Sequence, residues 1–137
     1  MIKGIGHVAF YTQNMDKALQ FYCGILGFEK AFTLNSADGQ PWIQYLLLPG
    51  GQFLELFYGR SNTNENSSYA HLCLEVDDIQ EIAAHMRKNN IPLTVEPNQG
   101  MDTNWQCWVK DPDGNPIEFM QIMPTSPQAK AQSRMHF

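Results

Sequence analysis

The run from His7 to about Tyr11 reads as a short strand. Thr12-Gln13-Asn14-Met15-Asp16 then offers polar helix-capping groups. Ala18, Leu19, Phe21, Tyr22, Ile25 and Leu26 follow at helical spacing, and Gly27 closes the predicted helix. Leu34 to Leu48 holds a loop around Asp38-Gly39 and an apolar run from Trp42 to Leu48. A turn at Pro49-Gly50-Gly51 leads into the strand Phe53-Leu54-Glu55-Leu56-Phe57.

The same order then recurs. Leu72 to Val76 predicts a strand, Asp77-Asp78 a helix cap, and Ile79, Ile82, Ala83 and Met86 the buried stripe of a helix. Asn89-Asn90 ends that helix, and Pro92 fits the stop because proline is disruptive within a helix and common just beyond one. Trp105 to Val109 is the next apolar run, Asp111-Pro112-Asp113-Gly114 a strong turn, and a strand through Glu118 completes the half. The chain thus predicts an α+β fold of two β-α-β-β-β modules, residues 1–60 and 69–123. A polar linker at 61–68, rich in Asn and Ser, joins them, and 124–137 forms a tail that is ordered in part.

The repeat places one histidine on the first strand and one glutamate on the last strand of each module. His7 and Glu55 stand 48 residues apart, and His71 and Glu118 stand 47 apart. Both glutamates are flanked by apolar residues, and a buried carboxylate is costly unless paired, protonated or bound to a cation. A lone strand histidine is more often a satisfied core residue, and a lone strand glutamate can face solvent. Four such residues at equivalent places in a repeat favour a divalent metal site instead. Imidazole nitrogen and carboxylate oxygen suit Ni, Co or Zn, with Mn or Fe as further choices. In a six-coordinate site four protein ligands leave room for water or a substrate oxygen.

Composition narrows the setting. The 137 residues are 43% hydrophobic and 17% charged, which fits one ordinary globular protein. A net charge of −5 argues against nucleic-acid binding, and no apolar run approaches the roughly 20 residues that span a bilayer. The start, Met1 to Gly6, lacks the pattern of a signal peptide. Cys23, Cys73 and Cys107 are odd in number without Cys-x-x-Cys spacing, which fits reduced thiols in the cytoplasm. Buried thiols act as small apolar groups more often than as nucleophiles. His85 and His136 read as solvated.

The doubled pattern with His7, Glu55, His71 and Glu118 resembles the vicinal oxygen chelate superfamily, and most closely its glyoxalase I (lactoylglutathione lyase) branch, from about Ile2 to Ile122. Phe21-Tyr22, Leu26-Gly27-Phe28 and Asp111-Pro112-Asp113-Gly114 also look like motifs of that family. The resemblance implies a cupped eight-stranded mixed sheet around the metal. It implies a homodimer whose sites each take His7 and Glu55 from one chain and His71 and Glu118 from the other. It implies a lyase or isomerase that passes a small substrate with adjacent oxygens through a metal-bound enediolate, with Glu118 favoured over Glu55 as the base.

The chain departs from the glutathione-specific enzymes at two places. They typically carry an arginine four residues after the first histidine and an asparagine four after the first glutamate, where this chain has Tyr11 and Gly59. Tyr11, Trp42, Phe57 and Trp105 suggest an aromatic-lined pocket in place of glutathione recognition. Two other readings are an extradiol-type dioxygenase holding Fe²⁺ with His7, His71 and Glu118, and a non-catalytic drug-binding protein of the bleomycin-resistance kind. The fourth ligand, Glu55, argues against both.

Overall fold

Asn14 begins the first helix as its sequence position implies: its backbone is extended and its side chain accepts the N–H of Lys17. In this computed structural model, which describes Met1 and residues 5–59 and 69–134, the chain divides into two units, Met1–Ser67 and Ser68–Phe137. The expected linker at 61–68 and the tail residue His136 lie outside the described residues.

The first unit runs β1 (His7–Thr12), α1 (Met15–Leu19), β2 (Glu29–Asn35), β3 (Pro41–Leu47) and β4 (Phe53–Tyr58). Between α1 and β2 the helix widens over Gln20–Ile25. There the N–H of Leu26 bonds to the carbonyl of Phe21, five residues back, at 2.9 Å. The wider turn buries the adjacent rings of Phe21 and Tyr22, which meet edge to face at 5.0 Å. Gly27 follows at φ +80°, and the N–H of Phe28 reaches back to Tyr22 at 2.9 Å, closing the helix.

The four strands form one sheet in the order β1-β4-β3-β2, with β1 parallel to β4 and the other pairs antiparallel. Phe10, Leu46, Leu54 and Leu56 are buried on one face, as are Ala18, Phe21 and Tyr22 from the helix. Each such large side chain contributes about 1.5–3 kcal/mol on burial. Buried Gln44 is satisfied by Thr33 Oγ1 at 2.6 Å and by the Phe32 carbonyl at 2.9 Å.

The second unit repeats the plan: β5 (Leu72–Glu75), α2 (Ile79–Lys88), β6 (Val95–Gln99), β7 (Trp105–Lys110) and β8 (Pro116–Gln121). Its sheet order is β5-β8-β7-β6, so the eight strands make two hydrogen-bonded sheets of four. Asp78 caps α2 by accepting the N–H groups of Gln80 and Glu81. Ile79, Ala83 and Met86 are buried, as are Cys107, Val109, Ile117 and Phe119 on the sheet. The tail forms α3 (Pro127–Gln132), capped by Ser126. It is fastened through buried Asn104, whose amide donates to Gln128 and whose oxygen accepts the N–H of Met123 at 2.8 Å.

Candidate functional site

Register brings each histidine to its glutamate. In the parallel pair β1/β4, Ala9 lies beside Glu55, and His7 precedes Ala9 by two residues on the same face. In β5/β8, Cys73 lies beside Glu118, and His71 precedes Cys73 by the same two residues. The two His–Glu contacts are correspondingly alike. His7 Nε2 is 2.9 Å from Glu55 Oε2, and His71 Nε2 is 3.0 Å from Glu118 Oε2.

Both glutamates are only 5% exposed, while His7 and His71 reach solvent. Among the described residues neither glutamate pairs with lysine or arginine, whereas Arg87 pairs with Glu96. No group of three or more candidate ligands comes together among the described residues, so the chain offers two two-ligand pairs.

The third strand of each unit supplies an aromatic neighbour. Tyr45 stands opposite Glu55 and Trp108 opposite Glu118. The Tyr45 hydroxyl donates to Glu55, and that carboxylate holds the phenol above its usual pKa range. Its ring meets His7 edge-on at 6.3 Å. Trp108 instead packs against His71, with ring centroids 4.7 Å apart, and its Nε1 donates to Gln106 Oε1 at 3.2 Å. The two pairs therefore differ in how the carboxylate is held.

Burial pushes the Glu118 carboxyl above its usual range and nearby Asp102 adds to the effect, while His71 opposes it through both charge and hydrogen bond. The Cys73 thiol is pushed up to about 12, first by desolvation and then by Glu118, Glu75 and Asp102. Of the thiols that the sequence reading takes as buried, Cys107 is buried while Cys73 is exposed.

Trp105 and Cys107 alternate onto the face of β7 opposite to Trp108, because successive strand residues point to opposite sides. Cys107 is fully buried there. Tyr11, Phe57 and Trp42 do meet: Tyr11 and Trp42 lie 5.4 and 5.8 Å from Phe57. The residues missed in the sequence are Tyr45, Trp108 and Asp102. A signal for the first two was present, since each precedes its glutamate by ten positions. Exposed His85 takes no part in either pair.

Residues 4–119 match the family model described as the Glyoxalase/Bleomycin resistance protein/Dioxygenase superfamily. The chain is 27% identical to the uncharacterized Escherichia coli protein YaeR over 88% of this chain and 97% of that one. It is 28% identical to a probable lactoylglutathione lyase of Synechocystis over 84% and 92% of the two chains. Among solved structures, a glyoxalase family protein from Enterococcus faecalis superposes with a TM-score of 0.69 at 28% identity, over 87% of this chain and 98% of that one.

Proposed function

The chain belongs to the Glyoxalase/Bleomycin resistance protein/Dioxygenase superfamily, and from that premise we propose that it is a divalent-metal-dependent lyase or isomerase of the glyoxalase I kind, acting on a small substrate with adjacent oxygens. The observation that carries this reading is the duplicated His–Glu pair, with each carboxylate buried against an imidazole. The similarity to a probable lactoylglutathione lyase of Synechocystis supports the same reading.

The donor set fits a divalent ion. Two buried carboxylates without a lysine or arginine partner among the described residues, and two imidazoles within hydrogen-bond reach of them, supply two oxygen and two nitrogen ligands of the type that Ni, Co, Zn, Mn or Fe accept. His7, Glu55, His71 and Glu118 would hold it. A second copy of the chain would complete each site, His7 and Glu55 coming from one copy and His71 and Glu118 from the other. When bound, the ion supplies positive charge against the negative charge that develops on the substrate's oxygens.

The proton transfer belongs to the chain's own carboxylates. Glu118 removes a proton from one substrate carbon and returns it to the neighbouring one. Burial favours that role by making its carboxylate readier to take up a proton. Glu55, held by both His7 and Tyr45, is the better anchored of the two and the weaker candidate for the base. The absence of a long apolar helix among the described residues and the unpaired cysteine count accord with a cytoplasmic enzyme.

The test is metal analysis of the purified protein beside Glu55→Gln and Glu118→Gln, together with turnover of methylglyoxal in the presence of several thiols. The expected result is about one divalent ion per four-ligand site, weakened in both variants, and hemithioacetal turnover lost in Glu118→Gln. Wild-type protein that takes up no divalent metal from metal-replete medium overturns the reading. Metal uptake with oxygen-dependent turnover of a catechol, and none of a hemithioacetal, replaces it with the dioxygenase reading.

A further inference from the structure

Three rings crowd the same face of the first sheet as the His7–Glu55 pair. Phe57 follows Glu55 by two residues on β4, so it stands about 7 Å farther along that face. Tyr11 follows His7 by four residues on β1, roughly 13 Å along. Phe57 and Tyr11 pair directly across these strands, with ring centroids 5.4 Å apart at an interplanar angle of 51°. Trp42 meets Phe57 edge to face at 5.8 Å. Tyr11 and Trp42 nevertheless remain 47% and 48% exposed, so two large rings are fixed by a neighbour and still present area outward.

Charge on this unit complements a neutral ligand. Its cationic side chains among the described residues are Lys17, on α1, and Lys30, which pairs with buried Leu46 and lies near Cys23 on the helix side of the sheet. Neither lies among the three rings. An anionic body laid along Tyr11, Trp42 and Phe57 would meet the Glu55 carboxylate and no lysine or arginine among the described residues of this unit. A flat uncharged body would meet π-faces and ring edges at favourable aromatic spacing.

We propose that Tyr11, Trp42 and Phe57 form an aromatic platform for the body of the substrate, and that the substrate class is a neutral aryl compound whose two adjacent oxygens point toward the His7–Glu55 pair. This rests on the reading that the pair belongs to the reaction site. The spacing suits it, because one aromatic ring bearing a vicinal oxygen pair spans the step from Phe57 to Glu55. The platform selects by stacking, and Tyr11, Trp42 and Phe57 are specificity-determining residues that take no part in moving the proton.

Calorimetric titration of the metal-loaded full chain with 2-hydroxyacetophenone, hydroxyacetone and glutathione tests the proposal. The aryl ketol should bind roughly tenfold tighter than its methyl counterpart, with glutathione weaker than the aryl ketol. Tyr11→Ser and Trp42→Ser, made separately at half-exposed positions and checked by circular dichroism, should each reduce that advantage to about threefold or less. An aryl-to-methyl ratio near one, a preference for glutathione, or an undiminished ratio in both variants overturns the platform. So does sedimentation showing that both variants turn a dimer into a monomer while the ratio persists, since a second copy then covers the face. A retained aryl preference in protein that neither takes up metal nor turns over a hemithioacetal leaves the platform standing and sinks the lyase reading. Turnover of methylglyoxal adducts with a flat ratio does the reverse.

Discussion

At Glu118, burial and Asp102 raise the pKa while His71 lowers it, and the net direction is upward from 4.5. A carboxyl with a raised folded-state pKa stabilises the fold in its protonated form. That contribution is complete below 4.5 and is lost as pH rises through the higher folded value. Metal-free wild type should therefore lose stability relative to Glu118→Gln over the interval just above pH 4.5, as thermal melts across that range will measure. On the proposal that Glu118 is the base of a metal-dependent lyase, the same substitution should lower kcat by roughly 10²–10⁴-fold, the usual span for loss of a general base. Glu55→Gln should act chiefly on metal affinity, which a competition titration with a chelator separates from kcat. The equivalent placement of His7 and His71, and of Glu55 and Glu118, was legible from the repeat alone. The unequal holding of the two carboxylates was not, because Tyr45 and Trp108 reach the pairs only through strand pairing.

The turn between β7 and β8 aims Glu118, and its sequence, Asp111-Pro112-Asp113-Gly114, announced it. Buried Asp111 accepts the N–H groups of Asp113 at 2.9 Å and Asn115 at 2.8 Å, and the Asn115 amide at 2.9 Å. Asp111→Ala leaves those donors without their acceptor and should cost about 2–3 kcal/mol in urea unfolding. Asp111→Asn, which keeps one oxygen, should cost less. The caps at Asn14 and Asp78 were equally legible, since a short polar side chain before an apolar stripe is a local signal. The widened stretch Gln20–Ile25 was not. A period of 3.6 describes the stripe but not one extra residue in a turn, and here packing of Phe21 and Tyr22 accompanies the wider geometry.

For the whole molecule, the proposed sharing of ligands between two copies gives a complementation test. Glu55→Gln and Glu118→Gln are each deficient alone. If each site draws one pair from each copy, randomly assorted mixed dimers hold one doubly substituted site and one intact site. A refolded equimolar mixture should then regain about one quarter of wild-type turnover. No recovery, in a mixture shown to have exchanged subunits, would place all four ligands within one copy. Chelation should abolish turnover and lower the melting temperature, with restoration by the divalent ion, because a ligand bound to the native state stabilises it by mass action.

By itself the sequence determined the duplicated module, the helix starts, the turns and the four residues that stand at equivalent positions. These are periodic or local properties, readable one segment at a time. Tertiary structure decided which side chains face those residues. It brought Nε2 and Oε2 to 2.9 and 3.0 Å within each unit, turned Trp105 and Cys107 away, and set Tyr45 and Trp108 beside the glutamates. The physical reason is the pleat: a strand's side chains alternate faces, so register between strands distant in sequence fixes every neighbour at once.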